Sequence, residues 1–255
     1  MTRKLALITG ASGGIGLELA RLFARDGYDL VLVARSADTL EAVATELRGK
    51  GNIVVTTCAQ DLSAPGAARV VFGRIPACDV LVNNAGFASN GGFAEIDEAR
   101  MLDEIALDVT ALTQLTRLYL PGMIERKNGR ILNVASTAAF LPGPNMAVYY
   151  ASKAYVLSLS EALAEEMRGT GVTVTCLCPG ATDTGFARRA EMQSTPLMRA
   201  PRASAVDVAR AGYNGMLAGK PVVVPGITNK ILGATAHLTP RRLLLWLSGK
   251  AVRRP

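Results

Sequence analysis

A short apolar run, Leu5-Ala-Leu-Ile8, is followed by Thr9-Gly-Ala-Ser-Gly-Gly-Ile-Gly16 and then by helical spacing over residues 17–26. Strand, glycine turn, helix is the layout of a phosphate cradle, and it constrains what the chain can fold into. The glycines let the backbone come close to a ligand. The helix N-terminus adds free N–H groups and the positive end of its dipole. The spacing, Gly10-x-x-x-Gly14-x-Gly16, is not the G-x-G-x-x-G fingerprint, and a flexible strand–helix turn has the same composition. The rest of the chain supports the cradle. Residues 29–34, 53–57, 79–82, 131–134 and 172–176 read as strands, separated by helical stretches, and the alternation continues to Val224. That pattern predicts a parallel sheet covered by helices on both faces.

The chain of 255 residues, 49% hydrophobic and 19% charged, suits a single α/β domain with a sizeable core. Its net charge of +7 is unevenly placed: residues 241–255 hold five Arg or Lys and no acid, leaving +2 for the rest. This is a basic tail rather than a nucleic-acid-binding body. Four apolar residues between Lys4 and Thr9 are too few for a signal-peptide core, and the cysteines are expected to be reduced structural thiols, which suits a cytoplasmic protein. Cys58, Cys78, Cys176 and Cys178 fall in or beside buried strands and lack the spacing of redox or zinc motifs. His237 is the single histidine, which gives little support to a metal site or a Ser-His-Asp triad.

The chemistry concentrates between Ile131 and Lys153. A strand ends near Ser136, the chain breaks at Phe140-Leu-Pro-Gly-Pro-Asn145, and helical spacing resumes over residues 146–167. Lys153 stands one turn after both Tyr149 and Tyr150, so either phenol can be its neighbour. A free tyrosine titrates near pH ~10, and a nearby ammonium favours the phenolate and lowers that value. Ser136 is placed to bind an oxygen of the reacting group. At the end of the second strand, Ala34-Arg35 offers no acid for a ribose hydroxyl. An arginine there suits a 2′-phosphate and so NADP(H), although a solvated arginine at a helix start reads the same way.

In order and separation, Thr9-Gly-x-x-x-Gly-x-Gly16, Asn83-Asn-Ala-Gly86, Ser136, Tyr149-x-x-x-Lys153 and Pro179-Gly180 resemble the short-chain dehydrogenase/reductase family, in its single-domain NADP-preferring branch. The likeness covers residues 5 to about 225. It implies an α/β, doubly wound Rossmann-type domain (residues 1–238) with a seven-stranded parallel sheet, followed by a basic, apolar tail (residues 239–255). The implied activity is NADP(H)-dependent interconversion of a ketone or aldehyde and an alcohol. Tyr149 would be the acid/base, Ser136 the substrate-oxygen partner, and Lys153 the group that tunes Tyr149 and holds the nicotinamide ribose. No metal is needed.

Cofactor contacts are implied for Gly10, Ser12, Gly14, Ile15, Gly16, Arg35, Asp61, Leu62, Asn83, Ala85 and Gly86. Further contacts fall to Tyr149, Lys153, Pro179, Gly180, Thr182 and Thr184. The resemblance also implies a homodimer or homotetramer, with Ala147, Ala151, Ala154, Leu157, Ala162 and Leu163 available for the contact. Residues 186–201 look like the family's mobile substrate lid. Phe87, Phe93, Phe140, Leu141 and Met146 are expected to face the pocket, which would favour an apolar substrate, though core packing uses the same residue types.

One departure stands out: Asp108 occupies a place where the family usually has asparagine. It motivates a competing reading, a dinucleotide-binding regulator or scaffold without turnover. For the tail, a helix docked on the body with a solvated basic end is favoured over a membrane-surface anchor. Weak or no membrane association is therefore expected.

Overall fold

In the computed structural model, which describes residues 3–49, 52–199, 201–236 and 238–253, the first apolar run becomes β1 (Leu5–Thr9) at the centre of the sheet. His237 lies outside the described residues, as do Arg254 and Pro255 of the tail. After the glycine turn come α1 (Gly14–Arg25), β2 (Asp29–Ala34), α2 (Ala37–Arg48), β3 (Val55–Ala59), α3 (Ala67–Arg74) and β4 (Val80–Asn83). The second half continues with α4 (Glu98–Ile105), a π-helical turn (Ala106–Ala111), α5 (Leu112–Glu125) and β5 (Gly129–Val134). A 3₁₀ turn (Thr137–Phe140), α6 (Ala147–Glu166) and β6 (Val172–Leu177) come next. The last part holds β7 (Thr182–Asp183), α7 (Phe186–Arg189), α8 (Pro196–Arg199), β8 (Ala203–Ser204), α9 (Ala205–Leu217), β9 (Val222–Val223), α10 (Ile227–Ala236) and α11 (Arg241–Val252).

Seven parallel strands form the main sheet in the order β3-β2-β1-β4-β5-β6-β9, the doubly wound topology expected from the alternation. Successive residues point to opposite faces, and each face has its own core. Leu7, Val31, Leu81 and Ile131 share one row and pack under α3 and α5 against Val71, Leu115, Tyr119 and Met123. Ile8, Leu32 and Val82 point the other way, toward Leu19 and Phe23 of α1, Leu40 and Leu47 of α2, and Tyr213 of α9. Fully burying each such side chain stabilises the fold by roughly 1.5–3 kcal/mol.

A polar seam crosses this core. Asn83 Nδ2 donates to Asn133 Oδ1 (2.9 Å) and Thr116 Oγ1 (3.0 Å), and Asn133 Nδ2 donates to Ser160 Oγ (2.9 Å). These buried bonds tie β4, β5, α5 and α6 into one register. A slip would leave the amides unpaired, at about 1–3 kcal/mol each.

Pro121-Gly122 predicts an interruption of the helix over residues 98–127, yet α5 runs through it. Pro121 lies on the exposed face, where the carbonyl it leaves without a partner can be met by water. The segment yields instead at the π-helical turn, where the backbone widens around Asp108.

Candidate active site

The carboxyl ends of β1, β2, β4, β5 and β6 open on one cavity of about 730 Å³. It lies where the strand order reverses between β1 and β4, the usual ligand position in an open α/β sheet. Gly10 and Gly14 turn the chain with φ of 66° and 57°, a region costly for any residue with a Cβ. A Cβ on Gly10 would also come within 2.7 Å of Asn84 Nδ2. Helix α1 starts behind Gly13, which supplies no side-chain cap, so its first N–H groups stay open to an anion. The turn after β4 is stitched to this cradle. Thr9 Oγ1 accepts from the N–H groups of Asn84 and Ala85 (3.0 Å each), and Asn84 Nδ2 donates to Thr9 O (2.9 Å).

Gly10, Ser12, Gly14, Ile15, Arg35, Asp61, Leu62, Ala85, Gly86, Pro179, Gly180, Thr182 and Thr184 all line the cavity, together with Ser136, Tyr149 and Lys153. Two expected contacts do not. Gly16 is buried in α1 against the Gly10 carbonyl, where a side chain would clash. Asn83 faces the polar seam instead of the cavity, because its side chain, one residue inside the strand, points into the core; Asn84 lines the cavity in its place. The apolar wall also differs in part from expectation. Phe87, Leu141 and Met146 line the cavity, whereas Phe93 is 65% exposed and Phe140 packs on Gly233.

Ser136, two residues beyond β5, caps the 3₁₀ turn: its Oγ accepts from Ala138 N (3.1 Å) and donates to Pro179 O (3.4 Å). Lys153 Nζ donates to Val134 O (3.4 Å) and lies 5.5 Å from the centroid of the Tyr149 ring. Tyr150 also lines the cavity, with its ring packed on Gly143. Burial pushes its phenol up to about 12, and the adjacent Tyr149 adds to that rise.

Tyr149 is raised as well, contrary to the expectation drawn from Lys153 alone. Burial is the largest cause; Lys153 and Ser136 oppose it, while the negative charges of Asp108 and Glu104 reinforce it. Of these acids, Asp108 stands out in the sequence as a departure from the family pattern, whereas Glu104 carries no motif signal. Asp108 Oδ2 sits 3.0 Å from Lys153 Nζ, both side chains being almost wholly buried, and Oδ1 accepts from Phe87 N (3.2 Å). Gly86 makes room for this pair, since a Cβ there would meet Asp108 Oδ1 at 2.7 Å. For Lys153, burial alone would lower the pKa, but Asp108, Tyr149 and Glu104 outweigh it and hold the ammonium charged.

One helical turn behind Asp108, Glu104 is 0% exposed, and among the described residues neither carboxylate oxygen has a well-formed hydrogen bond. Burial pushes it up to about 7; the neighbouring Ser89 works against the rise and Asp108 with it. Its one-turn spacing from Asp108 is visible in the sequence, but nothing there shows that this helix face is turned inward.

The segment around α7 also contributes more than its apolar residues. Arg188 and Arg189 of α7 line the same cavity as Arg35. Burial and then the charges of Arg35 and Arg188 lower the Arg189 pKa, so three cations converge near the end of β2. Arg100 ties α7 to the body by donating to Arg189 O (2.8 Å) and Ser89 Oγ (3.1 Å).

A doubly wound sheet with this cavity and these side chains defines a nucleotide-dependent oxidoreductase class, and the comparisons agree. Residues 4–194 match the short chain dehydrogenase family model, and the chain belongs to that family. It is 38% identical over 203 residues to the oxidoreductase UcpA of Salmonella typhimurium, covering 77% of this chain and 76% of the relative. It is 32% identical over 246 residues to the ketoacyl reductase HetN of Nostoc, covering 94% and 80% respectively. Among solved structures, a short-chain dehydrogenase from Sphingobium yanoikuyae in complex with NADPH superimposes with a TM-score of 0.83 at 33% identity, covering 92% of this chain and 94% of that one. The protein is thus an oxidoreductase of the carbonyl/alcohol type.

Proposed function

We propose that the protein is an NADP(H)-dependent reductase or dehydrogenase acting on a ketone, aldehyde or secondary alcohol, with Tyr149 as its acid/base. The observation that carries this reading is the continuity of the cavity, which joins the glycine cradle and Arg35 to Ser136, Tyr149 and Lys153. The residues present fit a dinucleotide phosphate: the cradle is uncapped and backbone-lined, and Arg35, Arg188 and Arg189 gather positive charge beside it. The NADPH in the Sphingobium relative supports the same choice.

NADP(H) would supply or accept the hydride. The protein's own groups manage the oxygen. In reduction, Ser136 donates a hydrogen bond to the carbonyl oxygen and Tyr149 holds the proton that this oxygen takes up. The Lys153 ammonium stabilises the phenolate left behind and, by the family likeness, binds the nicotinamide ribose. Asp61 would meet the adenine amino group. Phe87, Leu141, Met146 and Met198 give the substrate end an apolar wall, favouring an apolar substrate.

A second reading, cofactor binding without turnover, draws on the Asp108–Lys153 pair, because that carboxylate opposes the Tyr149 phenolate. Consumption of NADPH and of NADH over a panel of apolar ketones separates the two. Turnover with NADPH is expected; tight NADPH binding with no ketone reduced would favour the second reading.

A further inference from the structure

Helices α10 and α11 end the described chain and carry an unusual surface. On α11, Leu244, Ser248 and Val252 face the body. Ser248 Oγ donates to Pro142 O (2.6 Å), and Asn90 Nδ2 donates to Val252 O (2.9 Å). The opposite face shows Leu243 and Trp246 (55% exposed) at helical spacing, flanked by half-exposed Leu247, with Lys250 Nζ 3.9 Å over the Trp246 ring. Helix α10 likewise exposes Ile227 and Ile231 (71% and 56%). Both helices rest on the segment between β5 and α6, α10 through Gly233 on Phe140 and α11 through Gly249 on Pro144. Each also gives one leucine, Leu232 and Leu247, to the wall of the active-site cavity. The apolar surface therefore reaches the rim of that cavity through two partly exposed leucines.

Its charge selects the occupant. After Asp207 the sequence contains no acid, whereas Lys230, Arg241, Arg242, Lys250 and Arg253 lie exposed on or beside the two helices. A second copy pressed symmetrically onto this face would set these cations against one another. An anionic lipid surface complements them, takes leucine and tryptophan at headgroup depth, and lets Lys250 reach outward to phosphate. We propose that α10 and α11 form a peripheral docking face for anionic lipid, holding the cavity mouth against the lipid surface. Such docking would allow direct uptake of a lipid-partitioned carbonyl or alcohol substrate; that uptake alone rests on the proposed oxidoreductase function.

The chain reports on itself, because Trp246 is its single tryptophan. The full-length protein is mixed with phosphatidylcholine vesicles, either pure or containing one quarter phosphatidylglycerol. Co-sedimentation and a blue shift of Trp246 emission are expected with the anionic vesicles only, and about 0.5 M salt should weaken binding tenfold or more. Leu243→Glu should lower anionic-vesicle binding at least tenfold while leaving the circular dichroism spectrum and NADPH turnover with a water-soluble ketone unchanged. Absence of binding to anionic vesicles would overturn the proposal, as would equal binding to both vesicle types. A concentration-dependent blue shift without lipid, accompanied by self-association that Leu243→Glu abolishes, would assign the face to a second copy and overturn it too. None of these binding readouts uses turnover, so failure of the docking face and failure of the oxidoreductase reading are told apart.

Discussion

Tyr149 and Tyr150 stand side by side, and the difference between them is one of neighbours. Only Tyr149 has Lys153 and Ser136 among the groups acting on its phenol; Tyr150 is shaped by burial and by Tyr149. Tyr149→Phe is expected to abolish ketone reduction and preserve NADPH binding, while Tyr150→Phe keeps most activity, as read by steady-state kinetics and cofactor titration. Asp108 modulates this site from behind. Its charge holds Lys153 protonated and at the same time disfavours the Tyr149 phenolate. Asp108→Asn should keep the fold, raise turnover several-fold and move the pH–rate profile toward lower pH. An unchanged rate and profile would refute that electrostatic account.

Glu104 makes a separate, thermodynamic prediction. Its folded pKa of about 7 exceeds the ordinary glutamate value of about 4.3, so the folded state binds a proton that the unfolded chain has released. The associated stability is complete below pH ~4.3 and is lost as pH rises through about 7. Unfolding by urea should show a loss on the order of 3–4 kcal/mol across that window. Glu104→Gln should flatten the dependence.

At the scale of elements, the end of β2 and helix α7 bring their arginines to one cavity. Arg35 comes directly after β2 and Arg188 and Arg189 ride on α7, yet all three line one cavity. A charge-assisted bond to a 2′-phosphate contributes about 1.5–3 kcal/mol. Arg35→Ala is therefore expected to weaken NADPH binding about tenfold or more and leave NADH nearly unaffected, measured by fluorescence titration of each nucleotide. Equal affinity of the parent protein for both nucleotides would contradict the assignment. The π-helical turn between α4 and α5 is the other decisive element, because the widened backbone lies where Asp108 meets Lys153.

For the whole molecule, α4 and α6 leave an apolar, small-residue face uncovered. Leu102 and Tyr155 are 58% and 39% exposed, beside exposed Ala151 and Ala154, while Leu157 is buried within the subunit. Small residues allow two helices to approach closely, and a face of this kind favours pairing across a two-fold axis. A homodimer or homotetramer is expected by light scattering on the eluting protein, and Ala154→Arg should shift it toward monomer. A parent protein that is monomeric at micromolar concentration would rule this out. The C-terminal helices belong to a different surface, and the described residues contain no helix long and apolar enough to cross a membrane.

Much of the fold and site is legible in the chain, for local reasons. The strand–glycine–helix opening, the alternation of apolar strands with helices, and the one-turn spacing of Tyr149 and Lys153 depend on backbone preferences and period. These determine the topology and bring the right segments to one end of the sheet. Which way a side chain points depends on packing between distant segments. Hence motif order points Asn83 at the cofactor although it bonds Asn133 and Thr116 in the core, and Gly16 although it makes room for the Gly10 carbonyl. The convergence of Arg188 and Arg189 with Arg35 is invisible in the sequence for the same reason, as is the burial of Glu104 behind Asp108. Burial sets the cost of charge, and burial is a property of the assembled fold. The sequence could place an acid near Lys153; only the tertiary structure could make Tyr149 harder, rather than easier, to ionise.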